Sequence, residues 1–178
     1  DITIFGSGEE NGVSLVQTRL ASSGGDIAIT AASMFGASAR LHVVDIASGG
    51  GDISIDGNGP DGVSITYSDI ASAGGGIVVH GQGVYSGVYF HDTAIDSADG
   101  DIAISGSASF DVDGYYPFGV AFAGTTLTST TGDISVVGDA VGGSGILFWT
   151  PGSVAPGITT TSGTISLSST GANGLGLE

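Results

Sequence analysis

The sequence predicts an all-β fold, a right-handed parallel β-helix whose short strands pair with their counterparts in the next repeat. Three features of the 178 residues predict it: one phrase recurs about every 25 residues, apolar residues alternate with polar ones, and glycine, serine, asparagine and aspartate separate the short runs. Alternation with period two describes extended strands with one face inward. Residues 1–178 are therefore expected to form a single domain of six to seven repeats, each with three short strands.

The first strand of each repeat is expected where isoleucine follows glycine and aspartate. Copies of this first phrase read "DITI" at 1, "GDIAI" at 25, "GDISI" at 51, "GGIVV" at 75, "GDIAI" at 100, "GDISV" at 132 and "GTISL" at 163. The repeats accordingly begin near residues 1, 26, 52, 76, 101, 133 and 164. Parallel pairing of successive repeats, about 4.8 Å apart, predicts a buried column of isoleucines: Ile2, Ile27, Ile53, Ile77, Ile102, Ile134 and Ile165.

Two further strands are expected in each repeat. Copies of the second phrase read "GVSL" at 12, "RLHV" at 40, "GVSI" at 62, "GVYF" at 87, "GVAF" at 119, "GILF" at 145 and "GLGL" at 174. They predict an apolar column from Val13 to Leu175 and a ring stack of Phe90, Phe122 and Phe148. Copies of the third phrase read "RLAS" at 19, "DIAS" at 45, "DIAS" at 69, "AIDS" at 94, "TLTS" at 126 and "GITT" at 157.

Inward hydroxyls follow the apolar residue of the third phrase. We expect them to hydrogen-bond one another or the turn backbone: Ser22, Ser48, Ser72, Ser97, Ser129 and Thr160. An iterated hydroxyl of this kind is typical of a structural element. A catalytic serine would occur once.

The spacing between phrases differs from corner to corner. The third phrase and the isoleucine of the next repeat are always seven residues apart, as from Leu20 to Ile27, which predicts a rigid corner. The first-to-second spacing varies from 10 to 18 residues, and the second-to-third spacing is seven in four repeats, five in the second and twelve in the sixth. Loops are therefore expected at these corners, with the two main insertions at 107–118 and 149–157.

The composition excludes several partners. Eighteen acidic residues against two arginines, Arg19 and Arg40, leave a net charge of −16, which repels nucleic acid and anionic membranes. No apolar run approaches the roughly 18 residues of a membrane-spanning helix, so no membrane insertion is expected. Cysteine is absent, which excludes disulfides and thiolate metal sites.

The phrases "GGDIAIT" at 24, "GDISIDGNG" at 51 and "GDIAISGSA" at 100 resemble the repeats of filamentous-haemagglutinin-type large exoproteins, the adhesins exported by two-partner secretion. The resemblance covers essentially the whole chain. It implies a long β-helical shaft outside the cell, at a bacterial surface, that acts in adhesion or matrix formation. The implied partners are a host or neighbouring cell surface and its glycans, with no cofactor and no catalytic residues.

The ends of a solenoid are normally capped, because a bare end exposes strand hydrogen bonds and apolar columns. The sequence shows no capping segment at either end. Two expectations stay open: the chain is a piece of a longer shaft, or its copies associate end to end into a filament.

Five aspartates occupy the same position in their repeats and are expected to stack outside the first sheet: Asp1, Asp26, Asp52, Asp101 and Asp133. A carboxylate at this position can accept hydrogen bonds from turn N–H groups. The alternative is calcium, which prefers carboxylate and carbonyl oxygens. Only "DGNGPDGVS" at 56 loosely resembles a calcium-binding nonapeptide, and both interpretations stay open.

The two insertions carry side chains suited to a sugar. Aromatic planes stack on sugars and carboxylates bind their hydroxyls, which makes these residues a candidate carbohydrate-binding site: Phe110, Asp111, Asp113, Tyr115, Tyr116, Phe118 and Trp149. The alternative is that the rings fold back over the shaft. A sugar-cleaving enzyme, which uses paired carboxylates and, in lyases, a basic residue, is disfavoured because the two arginines face no aspartate cluster.

The three histidines are expected on outer faces, His42 and His91 on the second sheet and His80 on the first. His42 and His91 lie two repeats apart, or about 10 Å. That separation is too long for one metal ion whose ligands lie about 2 Å away. Exposed, solvated histidines are the favoured interpretation.

Overall fold

The computed structural model describes residues 1–109, 116–150 and 155–177. In those ranges the chain forms 18 β-strands, and the strands pair in parallel. The described residues form no helix, and so contain none that could cross a membrane. The predicted all-β class with parallel strands is confirmed.

The first sheet contains the first strand of every repeat, in chain order. Its seven strands are β1 (Ile2–Gly8), β3 (Ile27–Ser33), β5 (Ile53–Asn58), β8 (Ile77–Gly83), β11 (Ile102–Ala108), β14 (Ile134–Ala140) and β17 (Ile165–Gly171). Ile2 pairs with Ile27, and the same register continues strand by strand to Ile165. The predicted isoleucine column is confirmed, and Ile53 and Ile77 in its middle are fully buried.

The second sheet has 11 strands and contains the second and third strands of the repeats. They are β2 (Val13–Ala21), β4 (Ala37–Ala47), β6 (Asp61–Thr66), β7 (Asp69–Ala71), β9 (Ser86–His91), β10 (Ala94–Ala98), β12 (Phe118–Ala123), β13 (Thr126–Ser129), β15 (Ser144–Trp149), β16 (Gly157–Thr160) and β18 (Gly174–Leu177). Three strands per repeat, as predicted, occur in the third to sixth repeats. In the first two repeats the second and third strands are joined into β2 and β4, and the last repeat has two described strands.

The register corrects the alignment of the second repeat. Ala39, rather than Leu41, pairs with both Val13 and Val63. Because Ala39 and Ile46 are seven residues apart, the exceptional spacing of five disappears, and the second-to-third spacing is seven in the first five repeats. The prediction was wrong because Ala39 is smaller than the valine, isoleucine or leucine that occupies this position in the other repeats.

The interior is filled by columns of like side chains. The rings of Phe90 and Phe122 stack with their centroids 5.4 Å apart, and those of Phe122 and Phe148 stack at 5.1 Å, which confirms the predicted aromatic stack. Where the first strand runs towards the second, the two sheets converge. A Cβ added to Gly81 would collide with the carbonyl group of Gly87, so glycine is required there by the close approach of two backbones.

Each repeat has three corners, named here in chain order. The first corner joins the first and second strands, the second corner joins the second and third, and the third corner leads into the next repeat. The third corner is the one of constant length, and its copies are residues 22–25, 48–51, 72–75, 97–100, 129–132 and 160–163.

The backbones of successive repeats touch at the third corner. Its last residue is always glycine: Gly25, Gly51, Gly75, Gly100, Gly132 and Gly163. A Cβ on Gly100 would come under 3.0 Å from the backbone of Gly75, and Gly132 stands in the same relation to Gly100. The glycine of the recurring "GDI" phrase is therefore explained by repeat-to-repeat contact.

The predicted hydroxyl column lies at the same corner and bonds the turn backbone rather than neighbouring hydroxyls. The Ser72 hydroxyl donates to the carbonyl oxygen of Gly75 and lies 3.2 Å from the carbonyl oxygen of Ser97 in the next repeat. Hydroxyls at the equivalent positions bond the same part of the turn as donors or acceptors: Ser22, Ser48, Ser97, Ser129 and Thr160. These bonds satisfy polar groups that the corner removes from water.

The second corner turns through one residue with a left-handed backbone. Equivalent residues in five repeats have φ between +46° and +61°: Gln17, Val43, Tyr67, Asp92 and Gly124. Left-handed φ is unusual for residues other than glycine and most unusual for a β-branched one such as Val43. The strand pairing on both sides of this corner imposes the conformation.

Candidate functional site

The structure describes three of the seven predicted sugar-site residues. Tyr116 is 77% exposed, Phe118 opens β12 and Trp149 ends β15. The other four, Phe110, Asp111, Asp113 and Tyr115, lie outside the described residues. The candidate site is therefore built from strand residues, and it includes Phe118 and Trp149, the ends of the two predicted insertions that belong to β12 and β15.

Phe118 and Trp149 line one groove on the outer face of the second sheet. Phe118 pairs with Ser86 of β9, and Trp149 pairs with Ala123, whose other neighbour in the sheet is His91. The groove has a volume of about 370 Å³. The strands thus bring together two predicted residues that are 31 positions apart in the sequence.

Four polar or aromatic residues of this groove were not predicted: Asp61, Ser64, Ser86 and Tyr89. Tyr89 lies beside Phe118, with ring centroids 5.9 Å apart and planes inclined by 45°. The Ser86 hydroxyl donates a 2.8 Å hydrogen bond to Oδ1 of Asp61. Strand parity could have found Ser64 and Tyr89, which point outward between inward residues. Asp61 and Ser86 share the parity of the inward Val63 and Val88, so parity gave no signal for them.

Ring contacts extend from the groove across the sheet. His91 lies between Tyr89 at 6.1 Å and Tyr67 at 4.9 Å, and Tyr67 meets His42 edge-on at 5.7 Å. Together with Phe118, these rings cover four successive repeats. The outer face of the second sheet therefore has an aromatic strip at its centre.

Burial raises the pKa of the Tyr89 hydroxyl above its ordinary value, and the nearby Tyr67 and Asp92 raise it further. Because the ordinary value is already about 10, the phenol stays protonated at neutral pH. Tyr89 therefore offers the groove both a hydrogen-bond donor and an apolar ring face.

The histidines are partly buried, which corrects the expectation of exposed side chains. His42 and His91 flank Thr66 on paired strands, so their predicted separation of two repeats is confirmed. Nδ1 of His42 lies 2.8 Å from the Thr66 hydroxyl, and Nδ1 of His80 lies 2.7 Å from that of Ser105. These rings are fixed by hydroxyls of the next repeat.

The aspartate column binds the backbone of the following repeat. Oδ1 of Asp26 accepts a 2.9 Å hydrogen bond from the N–H of Asp52, and Oδ1 of Asp52 accepts one of 2.8 Å from Gly76. Asp1, Asp101 and Asp133 make the same bond at 3.1, 2.8 and 2.7 Å. The carboxylate thus acts in place of a backbone carbonyl, and the N–H it binds belongs to the next repeat.

Within the described residues, no group of three or more His, Asp or Glu side chains could hold a metal ion. One oxygen of each column carboxylate is already hydrogen-bonded to backbone. Calcium binding by the column stays an alternative. A rise in melting temperature with millimolar calcium, reversed by EDTA, would support it.

One end of the stack of repeats is apolar. Ile165 and Leu167 in β17 are 43% and 41% exposed, whereas Ile134 and Val136, their partners in β14, are fully buried. With Phe148, they line an open depression of about 620 Å³. This surface continues the internal columns into solvent.

The chain was also compared with known proteins, and no protein-family model, curated protein or solved structure matched it. The groove, the aspartate column and the apolar end are therefore interpreted from the chemistry of their own residues.

Proposed function

We propose that the two sheets are the walls of a right-handed parallel β-helix, and that this rod is a structural and adhesive segment of an extracellular bacterial surface protein. The observation that carries the proposal is the unbroken register of the first sheet, in which equivalent residues of seven repeats pair in chain order. A stack of this kind lengthens by adding repeats without changing its fold. That property suits a shaft that holds a binding surface away from a cell.

Sequence and charge support the extracellular, adhesive assignment. The resemblance to filamentous-haemagglutinin-type repeats implies export and adhesion, and membership of that family is part of the proposal. A net charge of −16 favours solubility and opposes contact with nucleic acid or anionic lipid. The proposed partners are host or neighbouring cells, with neither an enzymatic activity nor a cofactor.

Adhesion of protein-coated beads to cells tests this function. Beads coated with the folded chain are incubated with bacterial and epithelial cells, and beads coated with a folded protein of similar negative charge serve as the control. We expect more adhesion with the chain than with the control, and loss of the difference after thermal unfolding. Equal adhesion of the two kinds of bead to both cell types would contradict the adhesive role.

A second candidate function, a filament subunit that associates end to end, is favoured by the apolar end formed by Phe148, Ile165 and Leu167. Another repeat placed against β17 would pair its strand edge and cover these side chains. Light scattering over a range of protein concentrations tests this candidate. Growth that is abolished by Leu167→Asp supports it, and a monomer at every concentration overturns it.

A further inference from the structure

We propose that the groove lined by Asp61, Ser64, Ser86, Tyr89, Phe118 and Trp149 binds an uncharged glycan. The inference rests on the proposed adhesive function, and it names the chemical class of ligand that the surface recognises. It centres the sugar site on strand residues, including the ends of the two insertions, Phe118 and Trp149. The groove is named the strand groove below.

The apolar part of the strand groove presents ring surfaces to solvent. Trp149 is 44% exposed, and the Tyr89 and Phe118 rings lie beside each other without stacking face to face. A sugar ring has an apolar face of C–H groups and a rim of hydroxyls. Aromatic rings with free faces, combined with a few placed polar groups, are the usual lining of a small-ligand site.

The polar part of the strand groove matches sugar hydroxyls, which both donate and accept hydrogen bonds. Asp61 accepts from Ser86 through Oδ1, and its second oxygen has no hydrogen-bond partner among the described residues. Ser64 and the protonated Tyr89 hydroxyl add groups that can donate or accept. Donors and acceptors thus lie beside the rings, as a polyhydroxylated ligand requires.

Charge selects the class of glycan. Of the six residues, Asp61 is the charged one, and the chain as a whole carries −16. Uronate, sulfate or sialate groups would therefore be repelled, whereas an uncharged hexose chain would not. The same repulsion opposes a second copy of this chain as the occupant of the groove.

The strand groove is also pre-organised. Its rings stand on paired strands, and the sheet beneath them is closely packed, with Val120 and Ala121 of β12 no more than 4% exposed. Sites on strands hold their side chains more closely than sites on loops. Binding therefore requires little ordering of the protein, which favours affinity for a small ligand.

Trp149 is the single tryptophan of the chain, so its fluorescence reports on the strand groove directly. The probes are uncharged hexose oligosaccharides of glucose, galactose or mannose, four to six units long, and galacturonate oligomers of the same length. We expect a saturable fluorescence change with at least one uncharged oligosaccharide and none with galacturonate. Calorimetry with Trp149→Phe, which keeps a ring, should show retained binding.

Tyr89→Ala and Asp61→Ala are expected to weaken that binding at least tenfold. Phe35→Ala is the matched control, because Phe35 is 72% exposed but lies outside the groove. Far-UV circular dichroism establishes that each variant is folded. Equal weakening by Tyr89→Ala and Phe35→Ala, stronger binding of galacturonate, or no binding of any uncharged oligosaccharide would overturn the inference.

The outcomes for the strand groove and for adhesion can be distinguished. Bead adhesion without binding of uncharged oligosaccharides overturns the glycan inference and leaves the adhesive role standing. Oligosaccharide binding in solution without bead adhesion overturns the adhesive role and leaves the glycan inference standing. Bead adhesion that is lost in Tyr89→Ala supports the inference, because the cells are then held through the strand groove.

Discussion

The first and third corners of the repeat differ in what limits their sequence. At the third corner the backbones of successive repeats touch, and each of the six copies has the same length and ends in glycine. At the first corner the side chains of Met34 and Phe35 face solvent, being 67% and 72% exposed, and the number of residues between the two strands varies, with nine between β11 and β12. The backbone of the first corner still bonds the preceding repeat, since the N–H of Phe35 donates a 2.8 Å hydrogen bond to the carbonyl oxygen of Glu9. The length therefore varies at the corner whose side chains are exposed, and it stays constant at the corner that ends in glycine.

The largest expected effect comes from adding one carbon atom at the third corner. A Cβ at position 100 would collide with the Gly75 backbone, and backbone on both sides cannot move without breaking the register. We expect Gly100→Ala to lower the free energy of unfolding by about 3 kcal/mol, measured by urea denaturation.

Gly157→Ala is the matched control, because a Cβ there would meet no atom within 4 Å. It should leave stability unchanged or raise it by about 0.5 kcal/mol. If the two substitutions had similar effects, contact between repeats would not be the reason for glycine at the third corner.

The second effect concerns the hydroxyl column. Ser72 is fully buried, and its hydroxyl bonds the Gly75 carbonyl. Ser72→Ala removes the hydroxyl that donates to the Gly75 carbonyl oxygen and should lower the unfolding free energy by about 2 kcal/mol. Ser54→Ala on the outer face of β5 is the control, for which a melting experiment should show almost no change.

The register of the columns could be predicted from the sequence except at Ala39 in the second repeat, whereas three other features could not be predicted. Period two and fixed spacing identify inward residues, so the isoleucine, phenylalanine and hydroxyl columns were predicted correctly. The left-handed second corner gave no signal, because Val43 and Tyr67 are residues that normally avoid positive φ. The pairing imposes the conformation there.

The other two missed features involve different repeats. The aspartates were expected to bind turn N–H groups, but the N–H that Asp26 accepts lies 26 positions away, on Asp52. In the same way, Asp61, Tyr89 and Phe118 of the strand groove are separated by 28 and 29 residues in the sequence. Local patterns place each residue on a face, and only the offset between paired strands shows which residues share a site.

The third expected effect is smaller and comes from substitutions at the second corner, compared with a substitution in a strand beside it. Val43 has φ of +56° and is 42% exposed, so little burial is lost when it is replaced. Val43→Asn should raise the unfolding free energy by about 1 kcal/mol, because asparagine adopts left-handed φ more readily. Val16→Asn in β2 should lower stability instead, and the same sign for both would contradict this explanation of the corner.

The smallest expected effect comes from a substitution that completes the aspartate column. Gly76 occupies the column position of the fourth repeat, and a Cβ there would meet its nearest neighbours at an ordinary 3.6 Å. Gly76→Asn should offer an acceptor to the N–H of Asp101 and raise stability by about 0.5 to 1 kcal/mol. Gly76→Ala, which adds Cβ without an acceptor, is the control, and slower amide exchange at Asp101 should occur in the asparagine variant alone.

The central claim is that equivalent residues of successive repeats lie above one another, and spin-label distances test it most directly. Labels on cysteines introduced at position 3 and at positions 103, 135 and 166 occupy one outward column of the first sheet. Because the labelled pairs are four, five and six repeats apart, the distances should increase by about 4.8 Å at each step. Distances that stay constant, or that change without regard to the repeat number, would contradict the account.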